Sequence, residues 1–102
     1  MTELLWRPAL ELAALLRERR ISSEDLTLAV LERIDAVNPR VSAFVHVMAD
    51  RALAEARAAD ARLRKRGEDL PPFLGVPLGI KDLNVARGSF TRFGSRAFER
   101  FY

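Results

Sequence analysis

The chain has 102 residues, 49% apolar and 30% charged, with no cysteine, one histidine and a net charge of +3. A chain of this length makes one domain at most and buries only about two thirds of its unfolded surface, so its stability margin is thin. The composition excludes a disordered or membrane-spanning chain, disulfides, thiolate nucleophiles and thiolate metal sites, and a lone imidazole excludes a His-built metal centre. The residues Met1 to Arg7 lack a signal-peptide layout, and the expected location is the cytoplasm.

The first predicted helix covers about 8–20. Pro8 suits a first helical turn, and Leu12, Leu15 and Leu16 share one face. A second helix is predicted over about 22–38. Ser22 caps it, Asp25 stands at the third helical position, and Ile21 and Leu26 close over the cap as a hydrophobic staple. Leu26, Val30, Ile34 and Val37 continue its buried stripe, and Asn38-Pro39 is expected to stop it.

The β-branched and aromatic run Val41 to Val47 predicts a strand over about 42–48. From Asp50 the sequence turns to alanine with interspersed charges, which predicts a third helix over about 50–66 ending near Gly67. After the extended Leu70-Pro71-Pro72, an apolar run predicts a second strand over about 74–81, with Pro77 favouring an edge or irregular one. The remainder, Asp82 to Tyr102, is irregular and punctuated by Gly88 and Gly94. The order helix, helix, strand, helix, strand places the chain in the α/β class, incomplete, because two strands are too few for a stable sheet.

Basic residues are arginine throughout except Lys65 and Lys81. Lys65 lies in the charged run Arg62 to Arg66, which favours a helix carboxyl end and stays solvated. That run has no interleaved aromatics for base stacking, and with so small a positive surplus no nucleic-acid partner is expected. Lys81 ends the apolar run Phe73 to Ile80. Two readings are open there: a strand-end lysine snorkelling to water, or an amine that exchanges its proton, as a guanidinium does not.

Other candidate sites fall away on spacing. Gly75 and Gly79 are too close for a phosphate loop, and Asp82 stands where a hydroxyl is needed. Neither Ser89 nor Ser95 has the flanking glycines of a nucleophile elbow. His46 reads as structural and Trp6 as a packing residue, while the aromatic cluster Phe98, Phe101 and Tyr102 calls for a partner surface.

Gly75-Val76-Pro77-Leu78-Gly79-Ile80-Lys81-Asp82, followed by Gly88-Ser89-Phe90-Thr91-Arg92-Phe93-Gly94-Ser95, resembles the opening of the amidase signature family. Its pattern is Gly-Val-Pro, two variable residues, Ile-Lys-Asp, then Gly-x-x-Thr-x-x-Gly-Ser. The upstream helices, the Ala43-Phe44-Val45 strand and the alanine-rich helix are also similar to that family's amino-terminal region.

The resemblance implies a mixed sheet, amide hydrolysis or nitrogen transfer by a serine, cis-serine and lysine triad, and Lys81 as its lysine. A neutral amine there accepts a proton through the bridging serine while the nucleophilic serine attacks the carbonyl. Both triad serines would lie beyond Tyr102, and Ser89 and Ser95 are turn residues outside the triad. The implied partners are a small-molecule amide and the missing carboxy-terminal part of the same fold, with no cofactor, no metal and no membrane. The chain alone is expected to be inactive. Within the family the alternative is the amidase subunit of a glutamyl-tRNA amidotransferase. Outside it, the alternative is a non-catalytic module that self-associates through its apolar strand and aromatic tail.

Overall fold

The computed structural model describes residues 2–65, 69–82, 84 and 86–98. A 3₁₀ turn at Thr2–Trp6 leads into three helices, α1 (Ala9–Arg17), α2 (Ser23–Val41) and α3 (Ala49–Leu63), and a short 3₁₀ turn at Arg96–Phe98 follows.

Helix α1 starts one residue after Pro8, whose carbonyl accepts from the Glu11 and Leu12 amides. It stops at Arg17, short of the predicted Arg20, because the chain turns left-handed at Arg19, with φ of 55°. The Arg19 and Arg20 amides donate to Leu16 and Leu15 at 3.0 Å, which is the pairing of a Schellman motif built without glycine.

Helix α2 begins as expected. Ser22 Oγ accepts from the Asp25 amide at 3.0 Å, and Ile21 packs against the cluster that contains Leu26. Its end differs from expectation, for the helix runs through Pro39 to Val41. A proline in the last turn removes one amide donor, and the residue that loses its partner, Asp35, is exposed to water. Asn38 then fixes the exit: its side chain donates to the Phe44 carbonyl at 2.9 Å and accepts from the Phe44 amide at 2.8 Å. Ser42, left-handed at φ of 50°, donates its amide to Asn38 at 2.7 Å.

Helix α3 returns antiparallel to α2, and the small side chains Ala56 and Ala59 are buried between them. At the far end the Asp60 carboxylate accepts from the Ser23 and Glu24 amides at 2.7 and 3.0 Å, closing α2's first turn from across the hairpin. Arg57 adds an ion pair with Glu24. The core is a small cluster at this end, Leu12, Leu16 and Leu26, flanked by Leu4, Leu5, Ile21, Leu63 and Val76.

The two predicted strands do not form a ladder, and no strand occurs among the described residues. Residues 42–48 run without regular structure, with Phe44, Val45 and Val47 exposed. Residues 72–75 are a turn, in which the Leu74 and Val76 amides bond Pro71 and Phe73, and 76–81 continue unpaired. A strand is held by its neighbour's amides and carbonyls, and neither run has such a neighbour here. What the structure shows is therefore a helical unit, elongated for its size, since its radius of gyration of 15.0 Å exceeds the roughly 13 Å of a closed 100-residue domain. Helix α3 ends at Leu63, short of the predicted 66, because the Lys65 amide turns back onto the Arg62 carbonyl at 3.1 Å instead of continuing the helical pairing. Gly67, Phe101 and Tyr102 lie outside the described residues, as does the Phe98 side chain.

Candidate active site

The segment that carries Lys81 is anchored at its start. Ser23, buried at the head of α2, donates its hydroxyl to the Gly75 carbonyl at 2.7 Å. Gly75 has φ of +88°, and a β-carbon there would lie 3.2 Å from Ser23 Cβ and 3.4 Å from Leu16 Cδ1. Only glycine meets both demands. The Arg17 guanidinium adds bonds to the Leu70 and Pro71 carbonyls at 3.2 Å, and Val76 packs on the leucine cluster.

Beyond Val76 the chain leaves the helices. Leu78 is 84% exposed and Ile80 55%, and Lys81 is exposed as well. Among the described residues no apolar setting surrounds Lys81, and the apolar side chains at 78 and 80 face solvent. The Phe44 ring lies against the arm, 3.5 Å from where a Gly79 β-carbon would stand.

The arm is pinned again just past Lys81. The Asn84 amide closes a turn onto the Lys81 carbonyl at 3.0 Å. The half-buried Asp82 carboxylate accepts from the Arg92 amide at 2.8 Å and from the Gly94 amide at 3.3 Å, which ties the two sequence blocks together. Phe93 and Gly94 have φ of 51° and 69° and sit inside a turn closed by the Ser95 amide on Arg92 at 3.0 Å. These are the angles of a type I′ turn, unusual in carrying a bulky residue at its first central position.

The second block packs on the α2–α3 connection. Thr91 and Ser89 are buried, His46 meets Phe90 edge-to-face at 6.1 Å, and Arg51 donates to the Arg87 carbonyl. Ser89 Oγ donates to the Phe90 carbonyl at 3.4 Å, and Ser95 Oγ accepts from the Ala97 amide at 3.2 Å, so both hydroxyls serve local backbone. Among the described residues no hydrogen bond joins either serine to Lys81, and no group of three or more metal-ligating side chains is gathered. No helix among them is long and apolar enough to cross a membrane. An open cleft between the end of α2 and residues 44–47 is lined by Ile34, Asn38, Phe44 and Arg92, and Arg92 Nε is buried without a hydrogen-bond partner among the described residues.

Sequence reasoning singled out Lys81 but missed Ser23, Asp60 and the bridging role of Asp82. The glycine at 75 and the Asp82 to Gly94 spacing were visible, but nothing in the spacing says that Ser23 reaches across 52 residues.

A family model described as Amidase matches residues 25–102. The A subunit of glutamyl-tRNA(Gln) amidotransferase from Acidothermus cellulolyticus is 50% identical over 99 residues, covering 97% of this chain and 19% of the relative. The protein of the same name from Moorella thermoacetica is 47% identical over 94 residues, covering 92% and 19%, and that from Myxococcus xanthus 50% over 92 residues, covering 90% and 19%. The chain thus spans about a fifth of the length of these relatives. No solved structure matches it. With a family model covering three quarters of its residues and both sequence blocks tied together by Asp82, the chain belongs to the amidase family.

Proposed function

We propose that this chain is the amino-terminal portion of a cytoplasmic amidase that cleaves carboxylic amides with a serine, cis-serine and lysine triad, of which Lys81 is the lysine. The observation that carries the reading is the display of an exposed Lys81 on an arm fixed on both sides, at Gly75 by Ser23 and at Asp82 by Arg92 and Gly94. Lys81 Nζ takes the proton of the bridging serine, which takes that of the nucleophilic serine. The nucleophile's oxygen bonds to the carbonyl carbon, the C–N bond breaks, and the proton returns to the departing nitrogen. Water then cleaves the acyl-enzyme. In this reading both serines and the oxyanion donors come from downstream sequence, so the 102-residue chain is inactive alone. Residues 42–48 and 76–81 become strands of an α/β sheet that the downstream chain completes. In the complete enzyme Lys81→Arg removes activity by about 10²- to 10⁴-fold with the melting profile kept, because a guanidinium cannot take the proton. Near-normal turnover by that variant sinks the assignment.

A narrower reading has support in the relatives, which are named as A subunits of glutamyl-tRNA(Gln) amidotransferase and reach 50% identity. In it the amide is glutamine and the released ammonia passes to a partner protein. Ammonia release from glutamine, set against simple carboxamides, and a co-purifying partner favour this reading. Hydrolysis of simple amides by a monomer favours the free-standing enzyme.

A further inference from the structure

We infer that Asp82 is a positioning residue for Lys81, and this inference rests on the reading of Lys81 as the proton acceptor. Lys81 and Asp82 are adjacent in the chain, yet they face different surroundings: the lysine is exposed, while the carboxylate is turned inward onto the second block. Its two oxygens are divided between two amides, Oδ1 with Arg92 at 2.8 Å and Oδ2 with Gly94 at 3.3 Å. The Lys81 carbonyl is held separately by the Asn84 amide at 3.0 Å. With its own carbonyl bonded and its neighbour's side chain clamped, the Lys81 backbone is held on its carboxyl side, which limits the directions its side chain can take.

The far end of the clamp shows that it bears load. Phe93 stands left-handed at φ of 51°, where a bulky side chain is disfavoured, and such a conformation persists only where its surroundings over-determine it. The Asp82 carboxylate grips the amides on either side of Phe93. A charged acceptor is suited to this, because charge-assisted bonds to amides are stronger than neutral ones. Asp82 thereby holds the Gly88 to Ser95 block in register with the lysine arm, while Ser23 holds the arm's other end to the helices.

The test compares Asp82→Ala, Asp82→Asn and Lys81→Met in the complete enzyme, reading kcat, KM and hydrogen exchange at the Arg92 and Gly94 amides. Asp82→Ala is expected to lower kcat about 100-fold, the effect of a reacting group misplaced by about 1 Å, with KM within about threefold. Exchange at both amides rises about tenfold, and Asp82→Asn falls between, since its amide oxygen keeps one acceptor. Unchanged kcat in Asp82→Ala, loss expressed as KM, or unchanged exchange each overturns the positioning role. Should Asp82→Ala not fold, Asp82→Asn decides on the same readouts. Full turnover by Lys81→Met removes the reading beneath, whereas a dead Lys81→Met beside an active Asp82→Ala removes the Asp82 role alone.

Discussion

The helical end and the motif-bearing arm are held by different forces. Around Leu16 and Leu26, which are 1% and 0% exposed, α1, α2 and α3 meet in an apolar cluster made entirely by this chain. Beyond Val76 the large apolar side chains Leu78, Ile80, Phe90 and Phe93 are exposed, and the backbone is kept in place by Ser23, Asp82, Arg51 and glycine geometry. Apolar burial is forgiving of direction, whereas hydrogen bonds are not. The helical end supplies stability, and the arm receives orientation.

Truncation separates the two most sharply. Leu16→Ala should destabilise the chain by about 2–5 kcal/mol, the range for a buried leucine, which is most of the stability a chain this small can have. Leu78→Ala, at a side chain 84% exposed, should stay within about 0.5 kcal/mol. Denaturant melts of the 102-residue chain check both. Comparable losses from the two would mean that the arm has an apolar core of its own.

The same division explains what could be read from the sequence. The starts of α2 and α3 were legible because caps and alanine content are local signals, and so was the leucine stripe of α1. Lys81, Gly75 and Asp82 were legible because the two blocks are contiguous patterns. The end of α2 was not, because Asn38-Pro39 reads as a stop unless one knows that Asn38 bonds both backbone groups of Phe44. Runs 42–48 and 74–81 have strand composition, but a ladder depends on a neighbour, and pattern within the run does not supply one. The cross-chain links of Ser23 to Gly75 and Asp60 to Ser23 depend on how the hairpin closes, which no spacing rule encodes.

The joint between the two regions is Gly75, and Gly75→Ala tests whether the arm depends on the helices for its placement. The new β-carbon must tolerate φ of +88° and stand 3.2 Å from Ser23 Cβ, a side chain already committed to the Gly75 carbonyl. A left-handed residue costs about 1–2 kcal/mol, and the crowding adds to it. The expected result is a loss of about 2 kcal/mol in the melt together with faster exchange at Val76. Ser23→Ala should show the exchange change with a smaller stability loss, since it removes the bond without the strain. If Gly75→Ala melts like the wild type, the arm is not seated where its contacts place it.

The smallest effect lies wholly in the helical end and has the opposite sign. Arg19 occupies the left-handed position of the Schellman turn that ends α1, with φ of 55°, and its side chain is exposed. Glycine adopts that conformation without the β-carbon's clash with its own carbonyl. Against this stands the greater freedom glycine gives the unfolded chain, which takes back part of the gain. Arg19→Gly should therefore stabilise the chain by about 0.5–1 kcal/mol, raising the denaturant midpoint with the slope unchanged. The arm should not respond, so exchange at Arg92 and Gly94 stays at its wild-type rate. A gain in stability that also slowed exchange at those two amides would show that the helical end tightens the arm, and the division between a stabilising region and an oriented one would have to be redrawn as a single cooperative unit.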